Sequence, residues 1–167
     1  MKIKLLILTA VLFLNFQTVF AQTEKQISAI RAQVGAIEKG LKNYQKATRR
    51  VEGISLEGTE AVYYVSGKSL QKIGARIFGE TFNAAADFYY QGEELIFVFY
   101  KINRYDRPIG GVRSPKVART EERRFYFAGG ELVRLLDGKK ELTASDEKYT
   151  TMKEEIVDVA EKLKSAY

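Results

Sequence analysis

Apolar positions along the chain form two helical stretches on either side of a strand-rich middle. Ile27, Ile30, Val34, Ile37, Leu41 and Tyr44 recur at alternating steps of three and four, which places them on one face of a helix. Thr23 with Gln26 fits a capping box, and Glu24 suits the positive end of the helix dipole. Lys46, Arg49 and Arg50 suit the opposite end, before Gly53. Tyr149, Met152, Ile156, Val159 and Leu163 repeat the rhythm near the carboxyl terminus. There Ser145 is the expected N-cap, with Asp146 and Glu147 in the first turn and Lys162 and Lys164 in the last. Neither stripe sustains the heptads of a coiled coil. Two amphipathic helices packed on a sheet are therefore predicted, with helix-mediated dimerisation as the alternative use of a stripe.

The middle contains an internal repeat. Tyr63-Tyr64-Val65-Ser66-Gly67-Lys68-Ser69-Leu70 aligns with Phe88-Tyr89-Tyr90-Gln91-Gly92-Glu93-Glu94-Leu95 and with Phe125-Tyr126-Phe127-Ala128-Gly129-Gly130-Glu131-Leu132. Each copy reads as a strand, a turn whose glycine can take positive φ, and a returning strand. Three hairpins give about six antiparallel strands. Residues 94–102 are apolar on both alternating faces and predict a central strand covered on both sides. Alternation puts Tyr64, Tyr89 and Tyr126 on one face. It puts Tyr63, Val65, Phe88, Tyr90, Phe125 and Phe127 on the other, the expected floor for the helices. The predicted fold class is α+β: an N-terminal helix, an antiparallel β-meander of about six strands, and a C-terminal helix, with both helices on one face of a curved sheet. The three octapeptides resemble the aromatic-glycine hairpin repeats of MORN-like proteins, and the whole layout is similar to small exported proteins of unknown function from Bacteroidota. The resemblance implies hairpins and carries over no functional residue.

The first 21 residues change the picture of where this domain works. Lys2 and Lys4 precede an apolar stretch, Leu5 to Leu14, broken only by Thr9, and Val19-Phe20-Ala21 fits a cleavage site. That is the pattern of a secretory signal peptide, with cleavage expected after Ala21. The apolar run is short for a membrane anchor, so no stable transmembrane segment is expected after cleavage. Residues 22–167 then form one domain, periplasmic or extracellular. The sequence has neither cysteine nor histidine. Thiol chemistry, structural zinc and the commonest general base are thereby removed, and no metal or cofactor is expected.

Charge is uneven. The net charge is +6, and Lys2 and Lys4 account for two of these. Residues 101–124 hold eight basic and three acidic residues, a net +5, so the rest of residues 22–167 sums to −1. Within this segment, residues 103–118 contain both prolines and Gly110-Gly111, and read as a long loop. Arg104, Arg107, Arg113 and Arg119 are candidate anion contacts and Tyr105 a stacking contact. Tyr64, Tyr89 and Tyr126 form a second candidate, an aromatic platform. No catalytic motif is present. The adjacent pairs Glu93-Glu94, Glu121-Glu122 and Glu154-Glu155 point to opposite faces and form no local dyad. The reading is an exported, non-enzymatic binding module that takes an anionic protein, glycan or lipid headgroup through the basic loop, with no nucleic-acid partner expected. The alternative is a homodimeric assembly protein joined through a helix stripe. A hydrolase using cross-strand carboxylates ranks third, and would need a concave pocket holding two acids.

Overall fold

The computed structural model describes residues 22–167; the signal peptide expected over 1–21 lies outside the described residues. Helix α1 runs over 22–40 and ends in a 3-10 turn, Leu41–Asn43. Eight strands follow: β1 Gln45–Val51, β2 Thr59–Ser66, β3 Ser69–Gly79, β4 Phe82–Gln91, β5 Glu94–Tyr105, β6 Val117–Ala128, β7 Glu131–Asp137 and β8 Lys140–Leu142. Helix α2, Glu147–Ser165, closes the chain. Every strand pairs antiparallel with its sequence neighbours, giving one open sheet in the order β1 to β8. No helix among the described residues is long and apolar enough to cross a membrane.

The three repeats become hairpins β2–β3, β4–β5 and β6–β7. Their turns place Gly67, Gly92 and Gly129 at φ 62°, 61° and 58°. Only glycine takes that region without strain, which explains its recurrence in each copy. The two strands beyond the expected six are β1 and β8. Lys46, Arg49 and Arg50 of β1 are expected at the basic end of the first helix. Instead that helix stops at Gly40, and Lys46, Arg49 and Arg50 sit on an exposed edge strand, where charge discourages pairing with another chain. β8 has only three residues, too few to register as a pattern.

Each repeat hairpin also carries one extra residue at the same place. Tyr64 pairs with Lys72 but Val65 with Leu70, leaving Gln71 as a β-bulge. In the same way Ile96 and Val133 are extra in β5 and β7. A bulge shifts alternation by one, so residues two apart across it point to opposite faces. Leu70, Leu95 and Leu132 pack on the α2 face, where Met152, Ile156, Ala160 and Leu163 meet Tyr63, Phe88, Tyr90, Phe125 and Phe127. Lys72, Phe97 and Arg134 turn the other way, toward α1.

The helices therefore lie on opposite faces, a correction to the expected single face. The aromatic sorting holds, but the apolar floor serves only α2. The other face receives α1: Ile27 and Ile30 cover Tyr126, Ile37 covers Tyr89 and Ile96, and Val34 packs on Phe97. α1 is also held by charge at both ends, with Glu24 paired to Arg134 and Glu38 to Lys72. Thr23 lies inside α1, which is already helical at Gln22, rather than capping it. At the start of α2 the N-cap is Asp146, not Ser145. Its carboxylate accepts from Lys140 Nζ (2.6 Å) and reaches back to the Thr143 N–H (2.8 Å), and these contacts, the lysine first, hold its pKa down to about 2.

Lys72 is 7% exposed, the one buried charge among the described residues. Its ammonium lies 2.8 Å from Glu38 and 3.1 Å from Asp87, over the Tyr89 ring, and the Tyr89 hydroxyl donates to Glu38 at 2.8 Å. Burial alone would lower the Lys72 pKa, but the two carboxylates outweigh it and hold it above the ordinary value. Glu38 is pushed up by burial and brought below its ordinary value by hydrogen bonds from Lys72 and Tyr89. The lysine's contribution is complete below its unfolded pKa, about 10.4, and is lost as pH rises through the raised value. The glutamate's is complete above 4.5 and lost as pH falls through the lowered value. Glu38→Ala combined with Asp87→Asn strands a buried ammonium, and an expected cost of about 2–3 kcal/mol follows. Lys72→Met, which keeps the volume and leaves two part-exposed acids able to resolvate, is expected to cost under about 1 kcal/mol. Urea unfolding at neutral pH measures both.

Candidate functional site

Strands β5 and β6 have twelve residues each, whereas β7 has seven. β7 pairs with β6 only as far as Arg123↔Asp137, and the Gly138 N–H then donates to the Glu122 carbonyl. Beyond that point β6 has no partner on its outer side and forms the open edge of the sheet, a ledge backed by β5, whose Asn103 and Arg104 still pair with Asn83 and Phe82 of β4. The first turns of α2 rise beside it. Between them lies an open hollow of about 600 Å³, with Arg104, Arg119, Glu121 and Arg123 on the sheet side and Glu147 and Glu155 on the helix side.

Register creates the cluster. Arg104 and Arg119 are direct cross-strand partners, and Arg119, Glu121 and Arg123 alternate onto the same face. Glu121 is the hub: Arg119 lies 2.9 Å and Arg104 3.4 Å from its Oε1, and Arg123 lies 3.0 Å from its Oε2. Arg119 is 70% exposed at its side chain, Arg123 only 13%. The Arg123 Nε sits 3.5 Å from Asp137 Oδ1, outside hydrogen-bond geometry, and is buried without an acceptor. A guanidinium offers five donors in a fixed fork, and this one has a donor to spare. Arg104 additionally stacks over Phe82 at 5.4 Å.

The five residues expected to act together in one loop are divided. Arg104 and Arg119 meet on the α2 side of the ledge. Tyr105 points to the opposite face, where its hydroxyl accepts from Asn83 Nδ2 at 2.8 Å. There it joins a cross-strand ladder in which Asn103 donates to Asn83 and Thr120 to Asn103. These polar pairs made strand ends look like loop: the actual loop is 106–116, not 103–118. Arg107 and Arg113 lie in this loop and line its own bend. Its base is ordered. The Asp106 N–H donates to the Lys116 carbonyl and the Lys116 N–H to Asp106 Oδ1, both at 2.9 Å, while the Ile109 N–H reaches Glu80 in the β3–β4 turn. Arg107 holds Asp106 at 3.0 Å and, with the Lys116 N–H, keeps its pKa low.

The tyrosine platform shares one face as predicted, but α1 occupies it. Tyr89 and Tyr126 are buried and flank Phe97, with centroid distances of 5.7 and 4.8 Å, and Arg31 lies over Tyr126. Tyr64 is half-buried beside Lys46 and Lys72. Sequence reasoning missed Glu121 and Arg123 as site residues. Their signal was the i, i+2 spacing of Arg119, Glu121 and Arg123 along a strand. Among the described residues no cluster of acids could hold a metal ion. Compared with protein families, with curated proteins and with solved structures, the chain has no match.

Glu121→Gln would remove the hub anion and leave three guanidinium groups facing one another. We expect it to lose about 1–2 kcal/mol at low salt, in the range for charged hydrogen bonds. Sulfate should raise its Tm more than it raises that of the wild type, against chloride at equal ionic strength, because the emptied centre accepts an anion.

Proposed function

We propose that this chain is a non-enzymatic binding module working outside the cytoplasm, and that it engages an anionic partner at the β5–β6 ledge. The observation that carries this reading is the convergence of Arg104, Arg119 and Arg123 on one carboxylate in an open hollow. Glu121 occupies the position that a carboxylate or phosphate from a partner would share. Exposed ion pairs contribute little to stability, so Arg119 can exchange Glu121 for an external anion at small cost. The secretion-type pattern of residues 1–21 supports the compartment. Arg107 and Arg113, farther out on the 106–116 loop, would contribute to long-range attraction rather than to the seated contact.

One observation favours a second reading, the carboxylate-based hydrolase: Asp137, Glu147 and Glu155 line the same hollow as Glu121. Both Glu121 oxygens are taken by guanidinium donors and Asp137 stands against Arg123. The acids on the sheet side are thus engaged in holding arginines, which weighs toward binding. Helix-mediated assembly draws no support from either stripe, since both stripes pack on the sheet of the same chain.

The test compares two paired variants for binding to inorganic phosphate and to heparin, at low and at physiological ionic strength. Arg104→Gln with Arg119→Gln should weaken binding by about tenfold or more, and should flatten the salt dependence. Arg107→Gln with Arg113→Gln should slow association while leaving dissociation nearly unchanged. Equal binding by the wild type and the Arg104/Arg119 variant would remove the ledge as the site.

A further inference from the structure

The arginine hollow does not end at Arg123. A second hollow of about 340 Å³ continues along α2, and the two share Arg123, Met152 and Glu155. Its character is different. Ile54, Phe82, Tyr100 and Val159 line it, with Phe125 and Ile156 beneath. Arg104 bridges the two, contributing its guanidinium to the first while stacking on Phe82 of the second. The volume falls in the range of small-ligand pockets, roughly 300–1,000 Å³. The only basic residue in the second hollow is Arg123, at its junction with the first. The acids there, Glu155 and Asp158, both stand on the helix. An anionic head is thus favoured at the arginine end, where Lys148 of α2 adds a fourth basic residue to the lining, rather than at the far end of the trough. The remainder offers apolar surface.

From this juxtaposition we propose that the trough beside α2 binds a single-chain carboxylate amphiphile of the fatty-acid class. Its head would sit on Arg123, with Arg104 and Arg119 beside it. Its tail would lie between Phe82, Tyr100, Ile54 and Val159. The inference rests on the anion-binding reading of the ledge and names the ligand class for it. The part-exposed Arg104 and the exposed Arg119 carry more N–H donors than the single Glu121 carboxylate takes up, so a ligand carboxylate gains charge-assisted hydrogen bonds at this end of the trough. The tail supplies what an inorganic anion lacks, burial of methylenes against existing apolar surface.

The test is calorimetric titration with butanoate, hexanoate and octanoate at low ionic strength, beside octanol and inorganic phosphate. Affinity is expected to rise about two- to fourfold per methylene. Octanol, which has the tail without the charge, should bind at least about tenfold more weakly than octanoate. Val159→Phe, which fills the apolar end, should abolish the gain with chain length. Arg123→Gln should reduce octanoate binding to the level of octanol. Because Arg123 is nearly buried, circular dichroism is used to check that this variant is folded, and Val159→Phe tests the tail independently of it. If phosphate binds but octanoate gains nothing over butanoate, the amphiphile site is wrong while the anion-binding ledge stands. If neither phosphate nor any carboxylate binds, both readings fall. Preference for a peptide ending in a free leucine carboxylate over octanoate also overturns the proposal, in favour of a protein terminus.

Discussion

A single residue of slippage, repeated three times, gives this sheet two usable faces. In a regular strand Leu70 and Lys72 would point the same way, as would Leu95 with Phe97 and Leu132 with Arg134. The bulges at Gln71, Ile96 and Val133 separate each pair, sending the leucine under α2 and its companion toward α1. α1 lies across the three hairpins and meets the equivalent residue of each: Lys72 through Glu38, Phe97 through Val34, Arg134 through Glu24. Without the bulges, Lys72 and Arg134 would be driven into the apolar layer beneath α2, with no acid to meet them. The docking of α1 is therefore a consequence of strand register before it is a matter of helix sequence.

The site arises from a mismatch in length rather than from an added element. β5 is central, covered by α1 through Ile96 and Phe97 and by α2 through Leu95, Val98 and Tyr100. β5 and β6 continue past the end of β7, and α2 begins beside the part left over. The outer side of β6 is uncovered there, and Arg119, Thr120, Glu121 and Glu122 are the polar residues of an open sheet edge. Antiparallel register then sets Arg104 against Arg119. Like charges in direct opposition are unfavourable, and Glu121 on the same face resolves the conflict by forming an ion pair with both.

Much of this was legible in the residues. The octapeptides gave three hairpins because glycine at a tight turn leaves an unmistakable mark, and the apolar run of 94–102 identified the doubly covered strand. The face of α1 was hidden because bulges cannot be read from alternation: Leu95 and Phe97 look like one face and occupy two. β1 was hidden because Lys46, Arg49 and Arg50 satisfy a helix end and a charged sheet edge equally well. The candidate site was half legible. Charge density pointed to the correct region, but loop composition drew attention to Arg107 and Arg113. The deciding fact, that Arg104 and Arg119 are cross-strand partners on Glu121, depends on strands extending into what reads as loop.

The two charge clusters of the fold differ in stoichiometry and in exposure. Around Lys72 one ammonium meets two carboxylates under the end of α1, and the acids face partly outward, where water compensates their excess. At the ledge the proportions are reversed. Three guanidinium groups share Glu121, with Asp137 as a second carboxylate beside the innermost, whose Nε is a buried donor left unmet. Water can solvate Arg119 but cannot reach the Arg123 Nε, whose need falls beyond what the protein's own groups provide. A cluster balanced from within serves to hold the chain together. At the ledge the exposed Arg119 stands at an open hollow with only a shared carboxylate as its partner, and the proposal of an anionic partner rests on that exposure.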